Sequence, residues 1–318
     1  MEITLRESFK KDFKENLDVF CEKLESYVST ENGDWSIKGF IDVYKNIYTI
    51  SSDTKIVSKI LEIHIFPEIL LFAEEIGYKI VLAEKQNYYP DLTFINKDNE
   101  EVMFAVDMKT TFRRNHSTAG FTLGSHGAYF KERDKKKNIQ YPYSQYMGHF
   151  CLGVIYSKVD SDDIADTSIY QVEELLEDGE QMCSSVGLRE VKAVSDLKSI
   201  TSVIKGFDFF AAEKWKIASD RQGSGNTANI GSINEIADLK NGNGTFSRLG
   251  EEWFDEYWMN HGSLKTIVDG KSKTISNIQE FLTFKNRTDL LSLITVKAKS
   301  KSKSGKKKKN NPDQKSLF

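Results

Sequence analysis

The segment from Tyr89 to Phe112, which reads YPDLTFINKDNEEVMFAVDMKTTF, decides the fold of this sequence. Two runs rich in β-branched, aromatic and other apolar residues flank the polar stretch Asn96–Asn99, and this pattern is typical of a β-hairpin. A turn centred on the end of that stretch places Asp91 on the first strand opposite Asp107 on the second strand. The sequence therefore predicts two carboxylates that face each other.

The second strand of this hairpin carries two different sets of side chains, because successive side chains point to opposite faces. One face has Val102, Phe104, Val106 and Met108, and the other has Ala105, Asp107, Lys109 and Thr111. We therefore expect Asp91, Asp107 and Lys109 to converge at one point on the polar side of the hairpin.

The chemistry of these three residues indicates a metal site for phosphodiester hydrolysis. Two close carboxylates repel each other unless a cation lies between them, and Mg²⁺ prefers such oxygen ligands. A bound Mg²⁺ polarises a phosphodiester and acidifies water, while a lysine ammonium offsets phosphate charge and holds the attacking water. The alternative interpretation is a surface hairpin with a salt bridge, since the Asp-x-Lys spacing is common.

The overall composition limits the class of protein. The chain has 318 residues, of which 39% are hydrophobic and 29% charged, as expected for a globular protein with a sizeable core. No apolar run reaches the roughly 18 residues of a membrane-spanning helix, and no signal peptide is visible at the N-terminus. Cys21, Cys151 and Cys183 are far apart, which argues against a disulfide scaffold or zinc cluster and favours a cytoplasmic location.

The C-terminal segment Lys297–Phe318 differs from the rest of the chain. It contains nine lysines and one acidic residue, whereas the preceding residues carry a net charge of −11. This composition predicts a disordered tail that neutralises DNA phosphates without sequence preference. Its end, Gln314–Phe318, resembles the short peptide that docks on the bacterial sliding clamp, so the clamp is a second candidate partner.

Removal of residues 297–318 tests whether this tail tethers the protein to DNA by neutralising phosphates. We expect cleavage of a short oligonucleotide to be nearly unchanged and the salt dependence of non-specific DNA binding to fall, because fewer phosphates are neutralised. If the affinity for non-specific DNA falls equally steeply with salt concentration for the full-length and truncated proteins, tethering is ruled out.

The remaining pattern indicates helices mixed with a short-stranded central sheet, which is an α/β (α+β) class. We expect helices at 8–30, from Ser52-Asp53 onward, and in a separate segment from Pro67 to Gly77. We expect strands at 79–83, 91–95, 102–112, 149–156 and 208–218, and loops with a short helix in the acidic segment 157–195.

Several blocks of sequence, taken together, resemble the EcoRV-like type II restriction endonucleases of the PD-(D/E)xK nuclease superfamily. The blocks are Ser52–Lys55, Lys85–Asp91, Val106–Thr111, Phe121–Gly124, Tyr141–Tyr146, Lys214–Ala218, Gly223–Ser232 and Glu251–Asn260. The resemblance covers about residues 35–285 within a predicted endonuclease domain at 1–296, with an acidic insertion at about 157–200. It implies a restriction-endonuclease-like fold, in which helices flank a central mixed β-sheet.

The resemblance also implies roles for the acidic residues. Asp91 and Asp107 correspond to metal-binding carboxylates and Lys109 to the catalytic lysine. Glu62 falls where the family has a further acidic residue near the metal, although its position beside apolar residues equally fits the solvated edge of a helix.

The same resemblance implies which residues contact DNA. The segment at 223–232 is similar to a loop that reads base edges in the major groove, where glycines allow close approach and asparagine can bond adenine bidentately. The implied DNA-binding residues are Gly223, Gly225, Asn226, Thr227 and Asn229 in that loop, Gln86 and Asn87 at the minor groove and phosphates, and Lys55, Thr110, Thr111 and Thr122 elsewhere. Ala228 departs from the family's threonine, which removes one hydroxyl. A flexible loop, a polar turn and ordinary strand threonines are the alternative interpretations of these segments.

We interpret the sequence as a Mg²⁺-dependent type II restriction endonuclease. The similarity of the reading loop predicts cleavage of double-stranded DNA at GATATC with blunt ends and 5′-phosphates. A palindromic site calls for a homodimer, and a cognate DNA methyltransferase would protect the host. The alternatives are a structure-specific repair or recombination nuclease of the same fold and a non-catalytic DNA-binding protein.

Overall fold

The computed structural model describes residues 3–159, 169–171, 200–223, 228–268 and 270–294. The predictions for the basic tail at 297–318 and for most of the acidic segment at 157–200 lie outside the described residues. The same holds for the base-reading candidates Gly225, Asn226 and Thr227.

The described chain contains helices mixed with short strands. The helices are α1 (Ile3–Val28), α2 (Thr54–Glu75), α3 (Ala128–Lys131), α4 (Lys214–Ile217), α5 (Ile236–Asn241), α6 (Glu251–Asn260) and α7 (Ile278–Phe284). Short 3₁₀ helices cover Tyr143–Gln145 and Thr288–Leu293. The strands are β1 (Gly39–Ile41), β2 (Asn46–Thr49), β3 (Tyr78–Leu82), β4 (Leu92–Asn96), β5 (Met103–Arg114), β6 (Ser117–Thr118), β7 (Thr122–Ser125), β8 (Gly148–Lys158), β9 (Ile169–Gln171), β10 (Ile204–Glu213), β11 (Ala218–Gln222), β12 (Asn229–Ser232), β13 (Lys265–Val268) and β14 (Lys271–Thr274).

The central sheet has the strand order β10-β8-β5-β4-β3, with β6 paired to β5. Strand β5 runs parallel to β8, and the other neighbours in this order are antiparallel, so the sheet is mixed. Leu92 is paired with Val106 and Ile95 with Met103. The predicted register of the hairpin is therefore confirmed, and it brings Asp91 level with Asp107.

Apolar side chains cover both faces of this sheet. On one face α1 and α2 pack against β5, and the Phe13 ring stacks on the Phe104 ring with centroids 4.2 Å apart. On the other face Ala105 and Phe210 belong to a second cluster that includes Trp258 of α6. Burial of apolar surface on both sides holds the sheet in place between helices. This arrangement confirms the α+β class and the restriction-endonuclease-like architecture.

The predicted helix boundary at Pro67 is wrong, because α2 continues through this residue. Helix α2 begins as predicted at Asp53, whose carboxylate accepts hydrogen bonds from the main-chain N–H groups of Lys55 and Ile56. Proline removes the hydrogen bond to the carbonyl of Ile63, but Ile63 and Pro67 are exposed, so water can reach that side of the helix. Burial of the opposite side outweighs the local loss.

Two further boundaries also differ from expectation. The aromatic strand is β10, which ends at Glu213, and a helical turn separates it from β11. The segment at 223–232, which we expect to be a loop, ends in strand β12. Gly77 ends the second helix region as predicted, with φ of 75°, a conformation that favours glycine.

Within the described residues, no helix has the length and apolar character needed to cross a membrane.

Candidate active site

The hairpin β4–β5 brings Asp91, Asp107 and Lys109 together. Asp91 directly precedes β4, while Asp107 and Lys109 lie two residues apart on β5 and so share a face. The Lys109 ammonium forms an ion pair with Asp107 and lies 3.8 Å from Asp91 Oδ2. It also donates a hydrogen bond of 3.1 Å to the carbonyl oxygen of Met108. Three oxygen-bearing groups therefore surround one cationic nitrogen.

The main chain fixes the position of the Asp91 carboxylate. The Met108 N–H donates a hydrogen bond of 2.8 Å to Asp91 Oδ2. The side chain of Asp91 remains 45% exposed, whereas that of Asp107 is only 12% exposed. Asp91 thus forms the open side of the cluster, from which a substrate can approach, and Asp107 forms its buried side.

The two carboxyl groups titrate differently because Lys109 is paired more closely with one of them. Partial burial and the negative charge of Asp107 raise the pKa of Asp91 to about 7. Burial opposes ionisation of Asp107, but the Lys109 ammonium outweighs this effect and holds the pKa of Asp107 below its ordinary value. Burial likewise opposes the charge on Lys109, yet the two aspartates keep its pKa above the ordinary value. Such perturbed pairs are concentrated at functional sites.

The oxygen atoms of this cluster suit a hard divalent cation. Carboxylate and carbonyl oxygens are the ligand types of Mg²⁺, which also keeps several water molecules. Among the residues that the structure describes, no group of three or more His, Cys, Asp or Glu side chains is placed to hold a metal. Asp91 and Asp107 would therefore supply two protein ligands, with the Met108 carbonyl as a third candidate oxygen donor and water for the rest.

The pKa of Asp91 predicts that metal binding depends on pH. Below pH 7 a proton occupies Asp91 and must leave before a cation binds, so Mg²⁺ affinity should fall by about tenfold for each further pH unit. Titration calorimetry with Mg²⁺ on either side of that pH measures the change. In the control variant Asp91→Asn the binding should be weak and independent of pH in this range. Wild-type affinity that stays constant below pH 7 would contradict the assignment.

Glu62 does not form a common metal-binding cluster with Asp91 and Asp107 in the described structure. It lies on α2, where it accepts a hydrogen bond of 2.8 Å from Lys59 Nζ, and its side chain is 29% exposed. Ser58 Oγ lies 3.4 Å from its other oxygen. Asp91 also contributes to raising the pKa of Lys59, after the larger effects of Glu62. In this arrangement Glu62 is paired with Lys59.

Lys214 is a charged residue near this site that the sequence does not predict. Only 3% of the residue is exposed, and its Nζ has no hydrogen-bond partner among the described residues. Four aromatic rings surround Nζ at distances of 4.9 to 5.9 Å from their centroids: Tyr89, Phe130, Tyr143 and Tyr129. Burial lowers the pKa of Lys214 to about 7, against the attraction of Asp107. The signals in the sequence are a lysine directly after an apolar strand and its place at the start of the block Lys214–Ala218.

Replacing Lys214 with methionine should stabilise the protein. The unfolded chain binds a proton at this lysine that the folded chain binds poorly, so wild-type stability should rise as the pH increases from about 7 towards 10.5. Lys214→Met removes this effect and should raise the free energy of unfolding at pH 7 by about 1–3 kcal/mol. Urea denaturation at several pH values measures both. Lys216→Met, at a half-exposed lysine two residues away, should give no gain, and a less stable Lys214→Met would contradict the account.

The described DNA-contact candidates lie in different environments. Lys55, Gln86 and Asn87 are exposed, Thr110 and Thr122 are half-buried, and Thr111 is buried. Thr111 Oγ1 donates a hydrogen bond of 3.3 Å to the carbonyl of Gly120. In this arrangement the Thr111 hydroxyl holds the adjacent backbone, while the other five side chains are accessible to a ligand.

Strands β7, β11 and β12 form a small separate sheet in the order β11-β12-β7. Asn229 of β12 is paired with Ser125 of β7, and the Gly223 N–H donates to the Asn229 carbonyl at 3.0 Å. A Cβ atom at Gly223 would lie 2.6 Å from Thr122 Cγ2. Glycine at 223 therefore allows the chain to pass close to β7, and the described ends of the base-reading candidate segment lie against this strand.

Comparison with known proteins shows the family of this chain. The family model described as Restriction endonuclease EcoRV matches residues 31–186 and 181–286. The chain is also 32% identical over 254 residues to the type II restriction enzyme EcoRV of Escherichia coli, and the match covers 79% of this chain and 93% of that protein. The chain therefore belongs to the EcoRV family of type II restriction endonucleases, which are site-specific deoxyribonucleases.

Proposed function

We propose that this enzyme cleaves double-stranded DNA at the palindrome GATATC, in a Mg²⁺-dependent reaction that leaves blunt ends and 5′-phosphates. The observation that carries the proposal is the cluster of Asp91, Asp107 and Lys109 at an open edge of the hairpin. The segment at 223–232 is similar to the base-reading loop of the family, and this similarity supports GATATC as the recognition sequence.

The proposed reaction is hydrolysis of the bond between phosphorus and the 3′ oxygen. Asp91 and Asp107 would hold Mg²⁺, which supplies Lewis-acid polarisation of the phosphate and acidified water. Lys109, fixed by its contacts with both aspartates, orients the attacking water and offsets the negative charge that develops on the phosphate. The buried side of the cluster limits the access of bulk solvent. The leaving 3′ oxygen takes up a proton, and the phosphate remains on the 5′ end.

Recognition of the sequence is assigned to the segment that includes Gly223, Gly225, Asn226 and Thr227, with Asn229 in support. These residues would read the outer G and A positions through base edges in the major groove. The central TA step is a pyrimidine–purine step that kinks easily, so its recognition can depend on DNA deformability instead of direct contacts.

A palindromic site with one cut in each strand calls for two copies of the chain. The exposed apolar side chains on and between β1 and β2 support self-association: Phe40, Ile41, Val43 and Tyr44 are 52%, 59%, 89% and 80% exposed. Apolar surface of this kind is costly to leave in water. We therefore propose a homodimer, and a cognate DNA methyltransferase that protects the host sequence.

Digestion of plasmid DNA of known sequence tests the proposal. In the presence of Mg²⁺ we expect discrete fragments whose ends map to GATATC and are blunt, and a chelator should stop the reaction. Random degradation would favour a structure-specific or non-specific nuclease of the same fold. Absence of cleavage with retained DNA binding would favour a non-catalytic DNA-binding protein. Discrete fragments with ends outside a GA…TC framework would refute the transferred specificity alone.

A further inference from the structure

His126 occupies a position between the two ends of the base-reading candidate segment. It directly follows β7, and only 5% of the residue is exposed. Its main-chain N–H donates a hydrogen bond of 2.8 Å to the carbonyl of Ala228. Its ring atom Nε2 lies 3.1 Å from the side-chain amide nitrogen of Gln222. One residue therefore contacts the chain on both sides of the segment.

These two contacts fix the base of the segment. Gln222 is the last residue of β11, and Ala228 directly precedes β12. The Gly223 N–H donates to the Asn229 carbonyl between the same strands, which adds a third link. His126 and this backbone hydrogen bond thus add to the strand pairing of Gln222 with Ile230 and of Asn229 with Ser125 in fixing where the chain enters and leaves the segment.

The surroundings of His126 hold its ring in one orientation. The Trp258 ring lies 5.1 Å and the His261 ring 5.2 Å from the His126 ring, measured between centroids. Its Nδ1 atom is buried and has no hydrogen-bond partner among the described residues. Burial of an unpartnered ring nitrogen costs stability. Packing alone therefore does not account for a histidine at this position. Its described side-chain hydrogen bond is the one to Gln222.

We propose that His126 is a positioning residue for sequence discrimination, which sets the spacing between Gln222 and Ala228. The inference rests on the proposed base-reading function of the segment between them. Base contacts require close geometric fit, and a displacement of about 1 Å can cost a large factor in rate. Loss of the imidazole therefore relaxes discrimination between DNA sequences, while the cluster of Asp91, Asp107 and Lys109 keeps its own contacts.

Three variants separate positioning from packing. His126→Phe keeps an aromatic ring but removes the bond to Gln222, and Gln222→Met removes the same bond from the other side. His126→Gln places an amide within reach of Gln222 and should restore the bond. His261→Phe is the matched control, because His261 packs against His126 and Trp258 but has no described contact with Gln222 or Ala228.

The measurement is the ratio of kcat/KM on the cognate duplex to that on a duplex with one changed base pair, with thermal unfolding recorded for each variant. We expect His126→Phe and Gln222→Met each to lower this ratio by about tenfold or more, and the double variant to lower it no further, because both remove one bond. His126→Gln and His261→Phe should stay near the wild-type ratio. Unchanged discrimination in folded His126→Phe, or an equal loss in His261→Phe, would overturn the inference.

Asn226→Ala on the same two duplexes distinguishes this inference from the proposed function. If Asn226→Ala lowers the ratio and His126→Phe does not, the positioning role fails and base reading stands. If Asn226→Ala leaves the ratio unchanged, base reading by this segment fails, and the positioning role fails with it.

Discussion

Replacing Asp107 with alanine is expected to reduce the rate of DNA cleavage by a factor of about 10² or more, while the protein remains folded. Asp107 is the buried carboxylate that pairs with Lys109, and its removal takes away both a candidate metal ligand and the partner that orients the ammonium. Single-turnover cleavage of a plasmid with one cognate site measures the loss. Lys109→Ala should give a loss of similar size, because it removes the ammonium that is proposed to orient the attacking water.

The hairpin itself provides the control for this prediction. Asp98→Ala changes an exposed acidic residue in the turn of the same hairpin and should leave the cleavage rate close to that of the wild-type enzyme. Circular dichroism and thermal unfolding check that each variant is folded. Normal cleavage by Asp107→Ala would remove the basis for the metal-site assignment.

Asn226→Ala is expected to lose most of the discrimination between GATATC and sequences changed at the outer positions. A bidentate contact between a side chain and a base contributes about 1–3 kcal/mol to discrimination, and truncation leaves the base edge without its partner. Cleavage rates on duplexes that differ at one outer base pair measure the effect. Asn16→Ala, at an exposed position on α1, serves as the matched control. Equal rates on cognate and altered duplexes for the wild-type enzyme would refute the predicted sequence itself.

The sequence predicts local features of the fold well, because those features depend on neighbours along the chain. The register of the hairpin follows from the length of its turn, so the approach of Asp91 to Asp107 is predictable from the amino-acid sequence. The continuity of α2 through Pro67 is not, because the burial that maintains it comes from the sheet and α1. Composition around a proline does not reveal how much apolar surface lies on the opposite side of a helix.

The candidate site shows the same limit. Lys109 is predictable because it lies two residues from Asp107 on one strand, and strand geometry alone places both on one face. Lys214 is not predictable, since its proximity to the site depends on the packing of β10 beside β8 and on four aromatic rings from distant segments. The sequence likewise gives no sign of the contacts of His126 with Gln222 and Ala228, because they join residues about a hundred positions apart.

The alternation of side chains along β5 also limits how this enzyme can evolve. From Phe104 to Lys109, each side chain lies in one of the two apolar clusters or in the charged cluster. A saturation library over these six positions should therefore yield few active clones, whereas the exposed strand β14 should accept most replacements. Genetic drift and laboratory selection for new recognition sequences would then accumulate changes around β7, β11 and β12. Strand β5 would remain nearly unaltered among descendants that recognise different DNA.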